Sequence, residues 1–499
     1  MILINSSPKD ALKIFQPFLP ISVPIGLGCL LAACEQNKIK VKHIDEQIED
    51  DVLGLAEKYV REMTPPYIFG FSVLTPALKN AIILSRKFKK IYPDSKVIFG
   101  GIHPTAMPQE VLSYDHIDAV VRGEGESALV ELYRHIKAGK DFTAIDNLSY
   151  RQNGTIVHNK FSPLLDINLL PPFPYHLFTS KKYDLGFVVS SRGCPYRCIF
   201  CSNRIITGRK YRYRSAQLVV SELETLHYKH NIKFVIFSDD NLCVSKERIY
   251  TLIDEIRKKG LDKKMVFSFQ SRGDNVNYQL LSDLFNAGFK SIFFGMETAS
   301  ENIMKTIKKD ETVAECVSAV RMAKEIGYHV SATFIYGLPG DTHQDRINCV
   351  NLSKELKIDM VRYNNATPYP GTELYEIAKK ENRLRIEGLY DNFCSVSTFI
   401  ENPFKKIPFS YVPQGTSEEE IRMDILFSYF SFYLNFSRLR DIFAKSNCGA
   451  GWFKAGQDLM QLLKKIPSLF VLGFMLCFKF FQLTWYLLIK RLRLLFRRR

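Results

Sequence analysis

Residues 191–203 read Ser-Arg-Gly-Cys-Pro-Tyr-Arg-Cys-Ile-Phe-Cys-Ser-Asn, so three and then two residues separate Cys194, Cys198 and Cys201. A short loop with this spacing can turn three thiolates toward one metal centre. Thiolates are soft ligands that select iron–sulfur clusters, zinc or Cu(I). A structural zinc ion takes four ligands, and neither a second cysteine pair nor a nearby histidine follows the trio. On a four-iron cluster, three ligands leave one iron open to a substrate.

Two other interpretations of the trio stay open at this point: three buried core cysteines, or half of a zinc site. Gly193, Pro195 and Arg197 are typical of an ordered turn rather than a core. The Cys-x-x-x-Cys-x-Phe-Cys pattern resembles the cluster loop of the radical S-adenosylmethionine (SAM) superfamily. The resemblance implies a [4Fe–4S] cluster whose open iron binds SAM, and reductive cleavage of SAM to a 5′-deoxyadenosyl radical. It also implies that Phe200 lies beside the adenine.

The bulk composition limits the class of protein. A chain of 499 residues predicts two or three domains. Eleven cysteines, scattered apart from the trio, and the lack of an N-terminal signal pattern indicate a reducing cytoplasm. The formal charge is +16, and residues 461–499 contribute nine basic side chains and no acid. Because the excess lies in a tail and not over the body, the sequence argues against a nucleic-acid partner.

Residues 1–140 alternate strand and helix patterns, which predicts a Rossmann-like α/β domain with a parallel sheet. Ligands of such sheets bind at the carboxyl ends of the strands. Small and polar residues follow three of the predicted strands there: Ser72, Leu74, Thr75, Gly100, Gly101, Gly123 and Glu124. Glycine at these ends lets the backbone approach a bulky ligand closely.

The Ser-x-Leu-Thr and Gly-Gly segments of this region resemble the cobalamin-binding domain that precedes many radical SAM domains. The resemblance implies that the seven residues at the strand ends bind cobalamin. The chain departs from the family signature Asp-x-His-x-x-Gly, since Gln47 stands where the histidine should be and Asp50 where the glycine should be. The usual imidazole ligand to cobalt is therefore missing, as in many cobalamin-dependent radical SAM proteins. We interpret His103 as a loop residue near the site and not as a cobalt ligand.

Residues 141–184 predict a hairpin around Asn153-Gly154, followed by a proline-rich linker. Residues 185–400 contain six strand candidates that alternate with helices, which predicts a partial (β/α)6 barrel. Reactive groups should lie where these strands run into loops, and the cysteine trio follows the first of them.

Later strand ends of the barrel supply the other candidate cofactor ligands. Asp239 and Asp240 follow the second strand, although a helix N-cap is an equal interpretation of this pair. Arg272 follows the third strand and suits the SAM carboxylate, or else a surface ion pair. The Gly-x-Glu segment ending at Glu297 resembles a family segment whose Glu contacts SAM. Gly337 opens a stretch that resembles the family's Gly-Leu-Pro-Gly-Glu.

Residues 401–499 predict helices with an amphipathic basic tail. The run 468–489 is long enough to span a bilayer. One helical face collects polar residues, namely Lys479, Gln482, Tyr486, Lys490, Arg493 and Arg497. Another collects aromatic ones, namely Phe470, Phe474, Phe478, Phe481 and Trp485. We expect this helix to lie on a membrane surface. The alternatives are a helix packed on the protein and a true span.

Together these features resemble the class B radical SAM methyltransferase and anaerobic cyclase group. The resemblance implies a [4Fe–4S] cluster, SAM and cobalamin, methylation of an unactivated carbon of a small or hydrophobic substrate, and an electron donor such as flavodoxin or ferredoxin. The expected location is cytoplasmic, peripheral on the inner face of the membrane. The alternatives are an oxidative cyclase, a radical SAM enzyme without cobalamin, a methylthiotransferase, for which the first domain offers only Cys29 and Cys34, and a non-catalytic sensor.

Overall fold

The protein is described by a computed structural model that covers residues 1–8, 21–402, 404–434 and 459–496. Its described strands form one seven-stranded sheet, one six-stranded sheet and two short two-stranded ones. Two apolar cores cover the two faces of the first sheet, and a third fills the second sheet and its helices. The predicted α/β class, with two units joined in sequence, is confirmed.

The first unit is a twisted sheet with helices on both faces. The strands of this unit are β1 Ile2–Asn5, β2 Ile21–Ser22, β3 Lys42–Asp45, β4 Ile68–Ser72, β5 Lys96–Gly100, β6 Ala119–Val121, β7 Leu148–Gln152 and β8 Thr155–His158. All of them except β2 belong to the seven-stranded sheet. Its helices are α1 Ile25–Gln36, α2 Val52–Val60, α3 Leu78–Ile91, α4 Ile102–Ala106, α5 Pro108–Leu112 and α6 Glu126–Lys137. The central strands are apolar and buried on both faces, as expected of parallel strands between helical layers.

The strand order of this sheet is β3-β1-β4-β5-β6-β7-β8, and β1 and β3 to β6 run parallel. The order reverses between β1 and β4, and ligands of doubly wound sheets bind at the carboxyl ends beside such a switch point. The β7–β8 hairpin pairs antiparallel with β6. The domain boundary that we predicted at residue 140 therefore cuts through this sheet, because the hairpin belongs to it and not to the linker.

The second unit is the predicted barrel. Its strands are β9 Tyr183–Asp184, β10 Phe187–Val188, β11 Ser191–Arg192, β12 Arg212–Tyr213, β13 Phe234–Phe237, β14 Val266–Ser271, β15 Phe289–Glu297, β16 His329–Tyr336 and β17 Met360–Asn365. Its helices are α7 Arg204–Thr207, α8 Ala216–His230, α9 Lys246–Lys258, α10 Tyr278–Asn286, α11 Glu301–Thr306, α12 Val313–Ile326, α13 His343–Glu355 and α14 Glu373–Lys380. Six parallel strands follow chain order, β10-β13-β14-β15-β16-β17.

The carboxyl edges of the two sheets face each other. At Gly371, beyond β17, an added Cβ would lie 2.9 Å from Ile205 of α7 and 3.1 Å from the Cβ of Ala106 of α4. A Cβ at Gly123, after β6, would lie 3.7 Å from the carbonyl oxygen of Ile206. Loops that the sequence assigned to two different cofactors are thus neighbours.

The C-terminal region is helical, with α15 Ser397–Ile400, α16 Glu418–Tyr433 and α17 Leu459–Phe496. The polar face of α17 meets the protein at Lys479. Lys479 is buried and its ammonium donates to the carbonyls of Thr398 and Phe399, because the last carbonyls of α15 attract a cation. The opposite stripe, Phe470, Phe474, Phe481 and Trp485, is exposed. Arg497 lies outside the described residues.

Candidate functional site

The cysteine trio lies on a long loop closed at its base by a small ladder. The chain enters through β11 and leaves through β12, which pair antiparallel with Arg192 opposite Arg212. Gly193 adopts φ +85°, and a Cβ there would come within 2.2 Å of the carbonyl oxygen of Lys210. The loop therefore needs glycine immediately before Cys194, both for its left-handed backbone and for the close approach of the returning strand.

Between the second and third cysteines the loop is fastened to the barrel. Ile199 is fully buried; its N–H donates to the carbonyl of Ile307 at 3.0 Å, and its carbonyl accepts from Leu374 N–H at 2.9 Å. Arg197 adds an exposed ion pair to Asp310. These anchors fix the segment between the second and third cysteines against the barrel.

The three thiols differ from the cysteines of the core. Cys194, Cys198 and Cys201 are half-buried, whereas Cys243, Cys316 and Cys349 are fully buried, so the alternative of three core cysteines is wrong. Burial raises the pKa of Cys198 and of Cys201 to about 11, and a cationic metal centre would reverse this by favouring the thiolates. Among the described residues, no three His, Cys, Asp or Glu side chains are arranged to hold one metal ion. The donor set fits a cluster that spreads its ligands over separate irons.

Tyr196, inside the loop, is held by the third strand end. The Arg272 guanidinium stacks over its ring at 3.5 Å, and Asn275 Nδ2 donates to its hydroxyl at 2.5 Å. Arg272 also donates to both carboxylate oxygens of Asp274, at 2.9 and 2.7 Å, and to the carbonyls of Lys309 and Asp310. Since these partners occupy its donors, Arg272 positions the cluster loop, and its predicted role as ligand of the SAM carboxylate is not supported.

The two aspartates after β13 have different environments. Asp239 is fully buried and accepts from Ser190 N–H at 2.6 Å and Ser191 N–H at 3.1 Å, so it fixes the strand that leads to the cysteines. Asp240 is half-buried beside Cys194 and Cys201, and burial, together with the charge of Asp239, raises its pKa to about 6. Neither caps the following helix, whose N-cap is Ser245. Asp240 therefore remains the candidate SAM contact of this pair.

Glu297 ends β15 beside the cluster loop in an unusual backbone conformation. Its φ of +61° is left-handed, and the pairing of β15 with β16 shifts register at this point. The buried carboxylate accepts from Lys309 Nζ at 2.9 Å and lies near Cys198 and Cys201. Non-glycine residues in this conformation concentrate at functional sites. Sequence reasoning missed Lys309, because nothing in Lys308-Lys309-Asp310 distinguishes it from a surface lysine.

The two remaining barrel candidates lie on the same edge. Phe200 is half-buried and packs against the barrel core. Gly337 has φ +80° and its N–H donates to Asp341 at 2.6 Å. Gly337 is thus used for the turn after β16, while Phe200 keeps an exposed surface that a ligand can contact.

The carboxyl edge of the first sheet has several unsatisfied groups. His103, in α4, is fully buried; its Nδ1 lies 3.3 Å from Thr75 Oγ1, and its Nε2 has no partner among the described residues. Ser6 Oγ, just after β1 at the switch point, is likewise buried and unpartnered there. Leu74 is 53% exposed on the loop between Ser72 and Thr75. Unpaired polar atoms beside exposed apolar surface fit a large ligand with amide groups, such as cobalamin.

The glycines at this edge also determine the conformation of its loops. Gly101 has φ +104°, and a Cβ there would meet the backbone of Val73 at 2.8 Å. Gly100 accepts the N–H of Val73 at 2.8 Å, so the two loops are fastened together. Gly123 has φ +69° and its N–H donates to Thr105 Oγ1.

Two residues near this edge are bonded to other protein groups. Glu124 is buried and bonded to Arg192 and Arg212 of the barrel, so its predicted role as a cofactor ligand is not supported. Gln47, at the position of the family histidine, turns back and donates to Asp45 at 3.2 Å. Asp45 also accepts from Asn5 and Tyr183.

Comparison with known proteins gives two matching family models. One, described as Radical SAM superfamily, matches residues 188–352, and the other, described as B12 binding domain, matches residues 17–133. An uncharacterized methyltransferase from Pyrococcus horikoshii is 32% identical over 428 residues, 84% of this chain and 90% of that protein. An anaerobic magnesium-protoporphyrin IX monomethyl ester cyclase from Cereibacter sphaeroides is 29% identical over 336 residues, which cover 64% of this chain and 54% of the cyclase.

A solved structure supports the fold. The radical SAM methyltransferase TsrM from Kitasatospora setae, with cobalamin and a [4Fe–4S] cluster bound, superimposes with a TM-score of 0.65 at 20% identity. The match covers 76% of this chain and 74% of that one.

Proposed function

Because this chain belongs to the cobalamin-dependent radical SAM methyltransferase family, we propose that it methylates an unactivated carbon of a small or hydrophobic substrate. When bound, a [4Fe–4S] cluster with SAM supplies a carbon radical, and cobalamin supplies the methyl group. Cys194, Cys198 and Cys201 would hold the cluster, Asp240 and Glu297 would contact SAM, and Phe200 would lie beside its adenine. The loops at Leu74, Thr75 and Gly101 would hold the cobalamin.

One observation carries this proposal: the carboxyl edges of the two sheets face each other. The β6–α6 loop lies against α7, which directly follows the cysteine trio. A substrate carbon held between these edges can be reached from both cofactor sites. Exclusion of water from the space between the edges would protect a carbon radical.

Anaerobic reconstitution tests the proposal. The protein should retain about four iron atoms per chain and one cobalamin, convert SAM to 5′-deoxyadenosine, and move the labelled SAM methyl group into a product. If SAM cleavage persists in protein that cannot retain cobalamin, the methyl-transfer part is wrong and a radical enzyme without cobalamin remains.

An oxidative cyclase is the second candidate, since the Cereibacter sphaeroides relative carries that name at 29% identity. Product analysis separates the two, because a cyclase product gains a ring and no label from the SAM methyl group. A methylthiotransferase is disfavoured, since Cys29 and Cys34 share the helix α1 and Cys34 is buried. A second cluster therefore has no ligand set in the described part of the first domain.

We also propose that the enzyme takes its electrons from a small carrier such as flavodoxin or ferredoxin, and that it lies on the cytoplasmic face of a membrane. The exposed aromatic stripe of α17, Phe470, Phe474, Phe481 and Trp485, supports the second point. Phe470–Arg493 is long and apolar enough to cross a bilayer, but the buried Lys479 fastens the helix to the protein. The stripe would therefore enter the bilayer interface from a docked helix, and a true span is disfavoured.

Anionic lipid is the partner that the charges favour. Arg491 and Arg493 are exposed at the end of the stripe, and no Asp or Glu occurs between residues 459 and 496. Anionic headgroups attract each such cation by about 1 kcal/mol. A hydrophobic substrate that reaches the barrel from the same membrane would suit this location.

Vesicle binding tests the membrane proposal. In a Trp452→Phe background, Trp485 is the remaining tryptophan, and its emission should shift to the blue with phosphatidylglycerol–phosphatidylcholine vesicles and less with phosphatidylcholine alone. Phe481→Glu should abolish co-sedimentation, whereas Tyr228→Glu, at an exposed aromatic residue of α8, should not. Dimerisation through α17 without vesicle binding would contradict the proposal.

A further inference from the structure

We propose that Glu124 is a positioning residue that clamps the base of the cluster loop to the cobalamin-binding domain and so sets the spacing of the two cofactors. This inference rests on the proposed function, because it assumes that both cofactors act on one substrate. The comparisons assign Glu124 no role, and the family resemblance implied only that it binds cobalamin.

The clamp is one carboxylate bound from several directions. Arg212 donates to both oxygens of Glu124, at 2.7 and 3.0 Å, and Arg192 donates to Oε1 at 3.1 Å. The backbone N–H of Leu165 in the linker adds a fourth bond at 3.1 Å. Paired, charge-assisted bonds of this kind fix the relative orientation of the groups that they join.

The two arginines are paired partners at the base of the cluster loop. Arg192 on β11 lies opposite Arg212 on β12. Arg192 therefore lies at the start of the loop that carries the cysteines, and Arg212 lies at its end. Arg192 precedes Cys194 by two residues. A displacement of Glu124 relative to the barrel would therefore act on both arms of the loop at once.

Burial and neighbouring charges strengthen the contacts of the Glu124 clamp. The side chain of Glu124 is 4% exposed, and those of Arg192 and Arg212 are 18% and 16% exposed. Burial alone would raise the pKa of Glu124, but the Arg212 and Arg192 contacts hold it below the ordinary value. A second carboxylate, Glu126 at the start of α6, binds Arg192 at 2.6 Å. Removal of one partner would leave a buried, unpaired charge.

The clamp lies where the two cofactor sites approach each other. Glu124 follows Gly123, whose loop also contacts Thr105 of α4, and α4 carries His103 with its unpartnered Nε2. Another ion pair between the units, Lys79–Asp391, is exposed and far from the cysteines in the chain. This pair joins the units without touching the cluster loop, so it provides a matched control.

The test compares Glu124→Gln with Glu124→Asp and Asp391→Asn in the reconstituted enzyme. Glu124→Gln should keep its iron and its SAM cleavage but form about tenfold more 5′-deoxyadenosine per methylated product, since a small misplacement uncouples two reacting groups. Glu124→Asp should restore part of the coupling, and Asp391→Asn should match the unaltered protein.

Hydrogen–deuterium exchange gives a readout that does not depend on activity. In Glu124→Gln, peptides covering residues 163–166 and 211–214 should exchange faster, because Leu165 N–H and the arginine side chains of β11 and β12 lose the carboxylate that binds all three. Arg212→Gln, which keeps the Arg192 contacts, should show a smaller effect in the same peptides. Unchanged exchange and coupling in a folded Glu124→Gln protein would overturn the clamp. Faster exchange in a protein that methylates nothing would overturn the proposed function and leave the clamp standing.

Discussion

The two carboxyl edges that face each other in this protein are built differently. At the barrel edge, Asp239 and Arg272 are bonded to other protein groups, and they hold the cysteine loop in place. At the edge of the first sheet, His103 Nε2 and Ser6 Oγ are buried without a described partner, and Leu74 is exposed. At the barrel edge these two charged side chains therefore organise the cysteine loop, whereas the first edge has groups that a bound cofactor would satisfy.

The difference follows from what each cofactor needs. A cluster is held by three bonds from one loop, and contacts at Gly193 and Ile199 fix that loop against the rest of the barrel. Cobalamin is large and is held by many weak contacts, so its site can keep exposed apolar surface and unpaired polar atoms until it binds. Changes at the barrel edge should accordingly remove function, and changes at the first edge should lower affinity or alter stability by smaller amounts.

Cys198→Ala tests the barrel edge most directly. We expect loss of iron and a fall in SAM cleavage of about 1,000-fold or more, since the cluster loses a ligand. Iron analysis and 5′-deoxyadenosine assays measure both. Cys316→Ala, at a fully buried core cysteine, should keep iron and cleavage and cost about 1–2 kcal/mol of stability. Equal iron loss in the two variants would show that the loop cysteine is no more important for the cluster than the core cysteine.

Gly193→Ala should disrupt the same loop without touching a ligand. The new Cβ would meet the Lys210 carbonyl at 2.2 Å in a left-handed residue, which costs roughly 3 kcal/mol. Iron retention should fall. Gly208→Ala provides the control in the same loop, since φ is +61° but nothing lies within 4 Å, and it should cost about 1 kcal/mol. Similar iron contents in the two variants would show that the loop tolerates the clash.

His103 should make the cofactor-free protein acid-sensitive. Burial lowers the pKa of His103 to about 4 from an ordinary value of 6.5, so the unfolded state binds this proton more tightly. Stability should therefore fall by about 3 kcal/mol as pH drops from 6.5 toward 4. Urea unfolding at several pH values measures the slope.

His103→Asn tests this assignment. The variant should show a smaller fall in stability as the pH drops from 6.5 toward 4. His176→Asn, at an exposed histidine, should leave it unchanged. An equal slope in all three proteins would assign the acid sensitivity to other groups.

Leu74→Ala should produce the smallest effect. The side chain is half exposed in the protein alone, so its loss should change stability by less than about 0.5 kcal/mol. Cobalamin should bind about fivefold more weakly, because roughly 1 kcal/mol of apolar contact is lost. Equilibrium dialysis measures the affinity, and Leu169→Ala, at another exposed leucine, should leave it unchanged. Equal affinities for all three proteins would place cobalamin away from this loop.

Local sequence was most informative where function needs a contiguous segment. The cysteine spacing, the glycine before it and the repeat of strand and helix are contained in short stretches, and the trio's loop and the six parallel strands follow from them. The roles of Arg272, Asp239 and Glu124 could not be inferred this way. Each is a charged residue at a strand end, and its partner, such as Asp274, Ser190 or Arg212, is set by packing.

The C-terminal helix α17 shows the same limit of prediction from local sequence. Periodicity separated a polar face from an aromatic face of α17, except that Phe478 is half-buried and contacts Phe404. It could not say which face meets the protein. Lys479 is buried against the end of α15, where carbonyl oxygens accept hydrogen bonds from its ammonium, so the aromatic face is left outside.

The sequence by itself determined the order of the two units, the loop that carries the three cysteines and the alternation of strands and helices, because spacing and periodicity are properties of neighbouring residues. Only the tertiary structure decided which polar groups are free for a cofactor and which bind each other. That choice depends on side chains brought together from distant segments, as when Glu124 meets two arginines of the cluster loop.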